Sequence, residues 1–165
     1  TYHPYYRSIP SRGVVVEPYF LKIFRQRWYV TGLHREQKKI KTYALDRMSD
    51  VLLLPDVFDD DPSFEPESYF RDSFGIVFTR NEVKRIALRT DPRQAKYFRA
   101  LPLHRSQEEV VHDSYSIFYY RMRISPDFVE ELLSHGARVE VLEPPELRAM
   151  MRTELSDALA LYKKD

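Results

Sequence analysis

The chain has 165 residues, of which 43% are hydrophobic and 14% aromatic, and its formal net charge is +1. This apolar content excludes a wholly disordered chain, and no apolar run is long enough for a membrane span or arranged like a signal peptide. The absence of cysteine excludes disulfides and thiolate metal sites and is typical of the cytoplasm, where we expect the protein.

The near-neutral net charge hides a strong asymmetry along the chain. Residues 1–48 carry ten basic and three acidic residues, a net charge of +7, whereas residues 49–74 carry one basic and eight acidic residues, a net charge of −7. The aspartates before Pro62 cannot continue a strand, because proline lacks a backbone donor and adjacent carboxylates repel. We therefore predict two domains, 1–54 and 82–165, joined by an acidic linker over 55–81. Because residue 1 is Thr1 and not Met, we expect a further segment upstream.

The first domain is predicted to be a small β-barrel. Gly13, Pro18 and a polar stretch separate β-branched and aromatic runs, which lie at residues 14–16, 19–21, 28–30 and 43–48. They predict four or five short strands and no helix. So few residues cannot build a two-sheet sandwich, but they can close an SH3-like or Sm-like barrel. In the linker, residues 65–74 predict a short helix anchored by Phe70 and Phe74.

The second domain is predicted to follow the order β-α-β-β-α-β-α. Its elements are a strand over 82–90, a helix from Asp91 to about Leu101, a hairpin of 105–112 and 116–124, a helix from Ser125 to Gly136, a strand over 138–142 and a last helix from Pro144. The last helix carries one apolar stripe, formed by Leu147, Met151, Leu155, Ala158, Leu159 and Tyr162. This order is ferredoxin-like, so the whole chain is predicted to be α+β.

Sequence motifs of catalysis are missing. The five histidines are scattered singly, the four glycines are too far apart for a phosphate-binding loop, and no serine lies in a nucleophile elbow. We therefore expect no metal, no cofactor and no enzymatic activity. The basic first domain instead interleaves Tyr and Trp with Lys and Arg, which suits nucleotides or single-stranded nucleic acid. A solvated surface, in which basic side chains cover aromatic rings, has the same composition, and composition alone does not decide between them.

Three ordered motifs of the first domain resemble the WYL-domain family. They are Pro-Tyr-Phe-Leu at residues 18–21, Arg-Trp-Tyr-Val-Thr-Gly at 27–32, and Lys-Thr-Tyr-Ala-Leu-Asp-Arg-Met at 41–48. The rest of the chain resembles that family's C-terminal extension, called WCX, through residues 102–107 and 136–144. The resemblance implies a bacterial transcription regulator. In this plan an upstream helix-turn-helix binds promoter DNA, the WYL barrel binds an effector, and the extension helps to form a homodimer.

The resemblance also implies a set of ligand-binding residues. The family's effector surface uses the motif tyrosine and arginines on the strand that ends in Leu-Asp-Arg, which fall here on Tyr29 and Arg47. Lys41 stands where many members have arginine. Ala44 departs from the pattern, because many members carry a further arginine there, and this departure puts the identity of the anion in doubt.

Strand alternation adds geometric expectations for this surface. It places Lys41, Tyr43, Leu45 and Arg47 on one face, with a cation at each end. It also places Trp28 and Tyr29 on opposite faces, and we expect the indole to fill the barrel while the phenol faces the ligand. The structural alternatives are core packing for Tyr29 and, for Arg47, a salt bridge to Asp46 or Glu17. Further candidates are Arg12, Tyr5, Tyr43 and His104; His104 and Gln107 fit a hairpin or interface role equally well.

The sequence therefore predicts the sensing and dimerisation region of a DNA-binding transcription regulator. Its effector is expected to be an anion, either a nucleotide or single-stranded nucleic acid, bound at the basic first domain. Promoter DNA is expected to bind through the upstream helix-turn-helix, and no membrane partner is expected. The alternative is a structural and dimerisation module without an effector, in which the positive charge serves solubility and the acidic linker neutralises it.

Overall fold

The computed structural model describes residues 1–59, 61 and 64–163. The chain divides into two compact units, Thr1–Pro66 and Glu67–Asp165, here called the first unit and the second unit. The described residues form two antiparallel sheets and four α-helices, so the predicted α+β class is confirmed at this level. Residues 67–81 of the predicted linker lie in the second unit, and the predicted domain bounds stay a prediction.

Three strands build the sheet of the first unit. They are β1 (Val16–Phe24), β2 (Arg27–His34) and β3 (Lys39–Ala44), paired in that order as an antiparallel meander. A 3-10 helix, Leu45–Arg47, follows β3 directly. The prediction of four or five strands without a helix is therefore wrong for the described residues. Because the strand ends at Ala44, Leu45 and Arg47 do not continue the alternation of Lys41 and Tyr43.

The turn between β1 and β2 has an unusual backbone for its residues. Arg25 and Gln26 both have positive φ, of 47° and 64°, which matches the two-residue type I′ turn preferred in tight hairpins. This turn normally takes Asn and Gly, so the sequence carries no signal for it. The result is a register in which Phe24 pairs with Arg27 and Ile23 with Trp28.

Burial in the first unit reverses one prediction about its aromatic residues. Tyr29 is 7% exposed, whereas Trp28 is 51% exposed. The two side chains do occupy opposite faces, as alternation requires, but the phenol is covered and the indole is not. The expectation that Trp28 fills the interior is therefore wrong.

The segment before β1 is held to the 3-10 helix by backbone contacts. Tyr2 forms isolated bridges with Ser11 and Met48, and the His3 amide donates to the Arg47 carbonyl at 2.9 Å. These bridges bring the N-terminal residues beside the end of β3. The described part of this segment contains no full strand, and closure into an SH3-like or Sm-like barrel stays a prediction.

The second unit contains a four-stranded antiparallel sheet and helices that alternate with its strands. In chain order its elements are α1 (Pro66–Phe70), β4 (Lys84–Thr90), α2 (Pro92–Ala100), β5 (Glu108–Val111), β6 (Ser116–Met122), α3 (Pro126–Ser134), a 3-10 helix (Gly136–Arg138), β7 (Val139–Glu143) and α4 (Pro145–Leu161). The strands lie in the order β5-β6-β4-β7. From β4 onward, this is the predicted succession of strands and α-helices.

Local sequence signals account for the helix starts of the second unit. The Asp91 carboxylate accepts from the Gln94 amide at 2.6 Å, and the Ser125 hydroxyl accepts from the Phe128 amide at 3.4 Å. Each cap is followed by proline, whose fixed φ and missing donor suit the first helical position. Both predicted helix starts are confirmed.

The core of the second unit lies between its sheet and its helices. Ile86 and Leu88 of β4 and Phe118 and Tyr120 of β6 are 0% exposed, as their alternation predicts. Only the first two of the six residues in the predicted apolar stripe of α4 are buried, Leu147 and Met151. The four later members are exposed, namely Leu155, Ala158, Leu159 and Tyr162.

Candidate anion site in the first unit

Arg47 is the centre of the candidate site. Its guanidinium carbon lies 3.3 Å from the centroid of the Tyr5 ring, a close cation–π stack. Its Nε is buried and has no hydrogen-bond partner among the described residues. Among the described residues Arg47 forms no salt bridge to Asp46 or Glu17; Asp46 pairs with Arg27 and Glu17 with Arg35. Arg47 is thus a cation without a carboxylate partner in the described part of the chain.

Arg27 lies against the same tyrosine ring. Its guanidinium carbon is 5.8 Å from the centroid of Tyr5, and its Nε lies 3.5 Å from the Asp46 carboxylate. The Tyr5 hydroxyl and the Asp46 carboxylate raise the pKa of Arg27, so its charge is permanent. Sequence reasoning missed this residue, although Arg27 alternates with Tyr29 on β2 and strand periodicity places both on one face.

Tyr29 lies beneath this cluster of Tyr5, Arg27, Asp46 and Arg47. It pairs with Ala44, the residue before the 3-10 helix, and it makes the smallest contribution to the raised pKa of Arg27. The structure therefore brings Tyr29 and Arg47 to adjoining elements on the same end of the sheet. Direct contact of the covered phenol with a ligand stays a prediction.

Tyr43 supplies a buried hydroxyl in the same unit. Burial raises its pKa to about 12, and its hydroxyl has no hydrogen-bond partner among the described residues. Its ring packs edge-on against Tyr2, with centroids 5.0 Å apart. Leaving a buried hydroxyl without a hydrogen bond lowers the stability of the fold by roughly 1–3 kcal/mol. The Tyr43 hydroxyl is therefore a candidate donor to a polar guest.

Lys41 and Arg12 do not join the cluster through any contact among the described residues. Lys41 lies on β3 opposite Gly32 and is partly exposed, and Arg12 is exposed. Neither has an ion-pair partner in residues 1–59, 61 or 64–163. They add positive charge to the first unit, and their role as ligand contacts stays a prediction.

His104 lies in the second unit, where the fold uses both of its ring nitrogens. Nδ1 lies 2.7 Å from the Ser106 hydroxyl and Nε2 lies 2.8 Å from the Arg71 carbonyl oxygen. Burial lowers the pKa of His104 below its ordinary value. These bonds support the hairpin role that the sequence left open, and they leave the imidazole without a free nitrogen for a ligand.

A cavity of about 530 Å³ lies elsewhere in the first unit. Its walls are mainly aliphatic and include Val14, Val16, Leu52, Leu54 and Val57. None of the predicted ligand residues lines it. At its edge Arg35 donates to Glu17 at 2.9 Å and to Asp56 at 2.8 Å, which fastens the segment after β3 to β1.

The described residues offer neither a metal centre nor a membrane-spanning helix. Among the described residues, no three His, Asp or Glu side chains are grouped closely enough to hold a metal ion. Within the same residues, no helix has both the length and the apolar character needed to cross a membrane.

Comparison with known proteins identifies both halves of the chain. The WYL domain matches residues 1–53, and the WCX domain matches residues 82–159. A search of curated proteins gives no match.

Several solved structures are similar to the chain, and two of them are described below. A protein described as CRISPR Cas-related aligns with a TM-score of 0.53 and 17% identity, covering 96% of this chain and 46% of that one. Proteasome accessory factor B/C (PafBC) of Arthrobacter aurescens aligns with a TM-score of 0.34 and 24% identity, covering 82% of this chain and 21% of that one. The chain thus spans less than half the length of either protein, and the likeness to the first concerns the fold alone.

The domain matches agree with the motifs at residues 18–21, 27–32 and 41–48 and at residues 102–107 and 136–144. The predicted family is therefore confirmed. WYL and WCX domains belong to transcription regulators and are not enzymes, so the prediction of a non-enzymatic protein is confirmed as well. The chain belongs to the WYL-domain family and consists of a WYL domain followed by a WCX domain.

Proposed function

We propose that this chain is the effector-sensing region of a bacterial transcription regulator and that its first unit binds an anion. The effector is a nucleotide or a short single-stranded nucleic acid. Binding changes the equilibrium of a homodimer whose upstream helix-turn-helix holds promoter DNA in the cytoplasm. Such coupling requires that the effector binds two states of the regulator with different affinity.

The observation that carries this proposal is the environment of the Arg47 guanidinium group. It is a cation stacked on Tyr5, with a buried Nε that has no partner among the described residues, while the neighbouring carboxylate of Asp46 pairs with Arg27. A phosphate at this point would supply the missing acceptor and meet a second guanidinium on the same ring. The exposed Tyr5 ring, 71% accessible, also offers a face on which a base can stack.

The finer fold assignments belong to the same proposal. We assign an SH3-like or Sm-like arrangement to the first unit, supported by its antiparallel meander and by the bridges of Tyr2 to Ser11 and Met48. We assign a ferredoxin-like arrangement to the second unit. The order β5-β6-β4-β7, with each neighbouring pair antiparallel, supports this assignment.

Calorimetric titration with a short oligothymidylate and with common nucleotides, at low and moderate salt, tests the site. We expect binding that weakens as salt rises, because phosphate contacts release counterions. Arg47→Ala should weaken binding by about tenfold or more and Lys41→Ala by less, since only the first has an unsatisfied buried nitrogen.

Lys96→Ala is the matched control, because Lys96 is exposed on α2 and its side chain forms no ion pair or hydrogen bond with another described residue. It should leave the affinity unchanged. Absence of binding at low salt, or equal binding by the Arg47→Ala and wild-type chains, would reject an anion site at Arg47.

The second candidate function is a structural and dimerisation module without an effector. The exposed part of the α4 stripe favours it, because Leu155 and Leu159 are 49% and 52% exposed and continue a row that is buried at Leu147 and Met151. A reporter assay with the full regulator separates the two candidates. Regulation that Arg47→Ala leaves intact supports the structural module, and regulation that it abolishes supports the sensor.

A further inference from the structure

The second unit contains a cavity of its own, of about 430 Å³. One side of α2, the end of α3 and the following 3-10 helix line it. Its main contributors are Gln94, Tyr97, Phe98, Leu101, His135 and Arg138. The volume lies in the range of small-molecule pockets, which are mostly apolar with a few converging polar groups. It is too small for a folded partner and suits a compact organic molecule.

Two guanidinium groups line this cavity without carboxylate partners among the described residues. Arg138 donates from Nε to the Gln94 side-chain oxygen at 3.3 Å, which leaves its two terminal nitrogens for another acceptor. Gln94 is 4% exposed, so Arg138 is anchored to a buried side chain. Arg93 also lines the cavity and has no hydrogen-bond or ion-pair partner in the described residues. Glu131 is the one acidic residue among the lining residues, so the two guanidinium groups leave the concave surface with an excess of positive charge that favours an anionic guest.

His135 adds a buried polar atom to the same wall. Its ring packs edge-on against Phe98, with centroids 5.1 Å apart. Its Nε2 lies 3.3 Å from the Glu131 carboxylate but lacks hydrogen-bond alignment and has no other partner among the described residues. Burial lowers the pKa of His135, with Arg138 acting in the same direction and Glu131 opposing it. The imidazole ring is therefore neutral at neutral pH, and a charged guest in the cavity would change its pKa.

The remaining walls are aromatic and aliphatic. Phe98 is buried, whereas Tyr97 is 59% and Leu101 is 77% exposed at the rim. Leu103 closes the wall beyond α2. An apolar body placed here would cover side chains that otherwise meet water, which favours a guest that is not uniformly polar.

We propose that this cavity is a second binding site, distinct from the anion site of the first unit, and that it takes a small organic anion with a carboxylate head and an apolar body. The guanidinium groups of Arg93 and Arg138 hold the carboxylate, whose planar shape matches their fork of donors. Tyr97, Phe98 and Leu101 contact the apolar body. The site lies wholly within the second unit and does not depend on an effector at Arg47.

Nuclear magnetic resonance of the isotopically labelled chain tests the proposal directly. Phenylacetate and hexanoate are the probes, and phenylacetamide, which has the same ring without the charge, is the matched ligand control. We expect the carboxylates to shift amide resonances of residues 93–103 and 131–138. Phenylacetamide should shift them far less at the same concentration.

Two variants and one control decide the role of the cations. Arg138→Gln and Arg93→Gln should each weaken phenylacetate binding by about tenfold, the loss expected for one charge-assisted contact. Arg93 forms no hydrogen bond or ion pair with another described residue, so Arg93→Gln should fold as the wild type does. It therefore still tests the site if Arg138→Gln disturbs folding. Arg152→Gln, an exposed position on α4, should leave affinity unchanged.

A pH series supplies a second readout. The charged groups that act on His135 are Glu131 and Arg138, Arg93 lines the same cavity, and a bound carboxylate adds one negative charge to them. Binding should therefore favour the protonated ring, and affinity should rise as the pH falls from about 8 to about 6. The proposal is overturned if neither carboxylate shifts these resonances at millimolar concentration. Equal shifts with phenylacetamide, or binding that both arginine variants leave unchanged, would overturn it as well.

Discussion

Gly32 is the residue at which β1 and β2 leave no space for a side chain. A Cβ there would lie 2.1 Å from the Glu17 carbonyl oxygen and 3.0 Å from the Pro18 Cα, where the register of the two strands shifts. These neighbours are backbone atoms, which cannot rotate away as a flexible side chain does. Gly32→Ala should therefore lower the free energy of unfolding by roughly 3 kcal/mol, measured by urea denaturation.

Gly13 provides the control for this prediction. It has a φ of +64°, and a Cβ at this position would meet no atom within 4 Å. Gly13→Ala should therefore lower the free energy of unfolding by only about 1 kcal/mol, which is the cost of placing alanine at a positive φ. Losses of equal size at Gly13 and Gly32 would show that the close approach of the two strands is relieved by movement of the sheet.

Gln107 connects three parts of the second unit through one partly buried side chain. Its Oε1 accepts from the Leu103 amide at 3.1 Å and from the Tyr120 hydroxyl at 2.9 Å, and its Nε2 donates to the Phe98 carbonyl at 2.8 Å. Gln107→Leu leaves all three groups unsatisfied and should destabilise the unit by roughly 3 kcal/mol. Tyr120→Phe removes one bond and should cost about 1 kcal/mol.

Urea denaturation followed by circular dichroism measures both losses. The ratio between the two losses matters more than either value, because the two side chains share one hydrogen bond. A Gln107→Leu chain as stable as the Tyr120→Phe chain would mean that water replaces the lost partners.

At the level of elements, the turn between β1 and β2 offers a stabilising substitution. Gln26 has a φ of 64°, a region in which a Cβ is unfavourable and glycine is not. Gln26→Gly should therefore raise the free energy of unfolding by roughly 0.5 kcal/mol, after the larger entropy of glycine in the unfolded chain is subtracted. The fluorescence of Trp28, the single tryptophan, reports the unfolding of the first unit, and its urea midpoint measures the change.

Glu36→Gly is the matched control in the neighbouring turn. Glu36 is exposed and is not among the residues with positive φ, so glycine there brings only its entropic cost. A gain at Glu36, or a loss at Gln26, would contradict the conformational argument.

The helices of the second unit were predictable because their starts are encoded locally. Asp91 with Pro92 and Ser125 with Pro126 each place a capping oxygen before a residue suited to the first turn. The end of β3 was not predictable in this way. Its 3-10 helix carries Arg47, whose carbonyl accepts from the His3 amide, a contact between residues far apart in sequence.

In the candidate site, too, some features follow from local sequence and others from contacts between residues far apart in the sequence. Motifs identified Tyr29 and Arg47, and alternation correctly separated Trp28 from Tyr29. The alternation of side chains along a strand does not show which face of the sheet is buried. That depends on which other segments pack against the sheet. The stacking of Arg47 on Tyr5 likewise depends on how the N-terminal segment returns to the sheet.

At the scale of the whole molecule, the chain divides at Pro66, inside the predicted acidic linker. Proline and aspartate mark where a strand cannot continue, but they do not mark where the next core begins. Phe74 belongs to the second unit, because it is buried and its ring centroid lies 5.3 Å from that of Phe128. The helix predicted over 65–74 is shorter, Pro66–Phe70, so Phe70 is its buried residue and Phe74 lies outside it.

Two histidines of the second unit couple its stability to pH. Burial lowers the pKa of both His104 and His135. The unfolded chain therefore binds protons more readily than the folded chain between the lowered and the ordinary values. As a result, the free energy of unfolding should fall as the pH drops below about 6.5, and these groups should contribute no slope well above it.

Urea denaturation across about pH 5 to 8 checks this slope. A chain carrying both His104→Gln and His135→Gln should lose less stability on acidification than the wild type, whatever its stability at neutral pH. The exposed His112→Gln variant is the control and should keep the wild-type slope. An unchanged slope in the double variant would place the acid sensitivity on carboxylates instead.

The exposed position of Trp28 has a practical consequence. It is the one tryptophan of the sequence, it lies on β2 one residue from both Arg27 and Tyr29, and half of its surface meets solvent. Selective excitation of the indole therefore yields emission from the first unit alone, against the background of twelve tyrosines. The protein thus carries its own fluorophore on the strand that bears Arg27, and the unfolding of the first unit is readable without a dye.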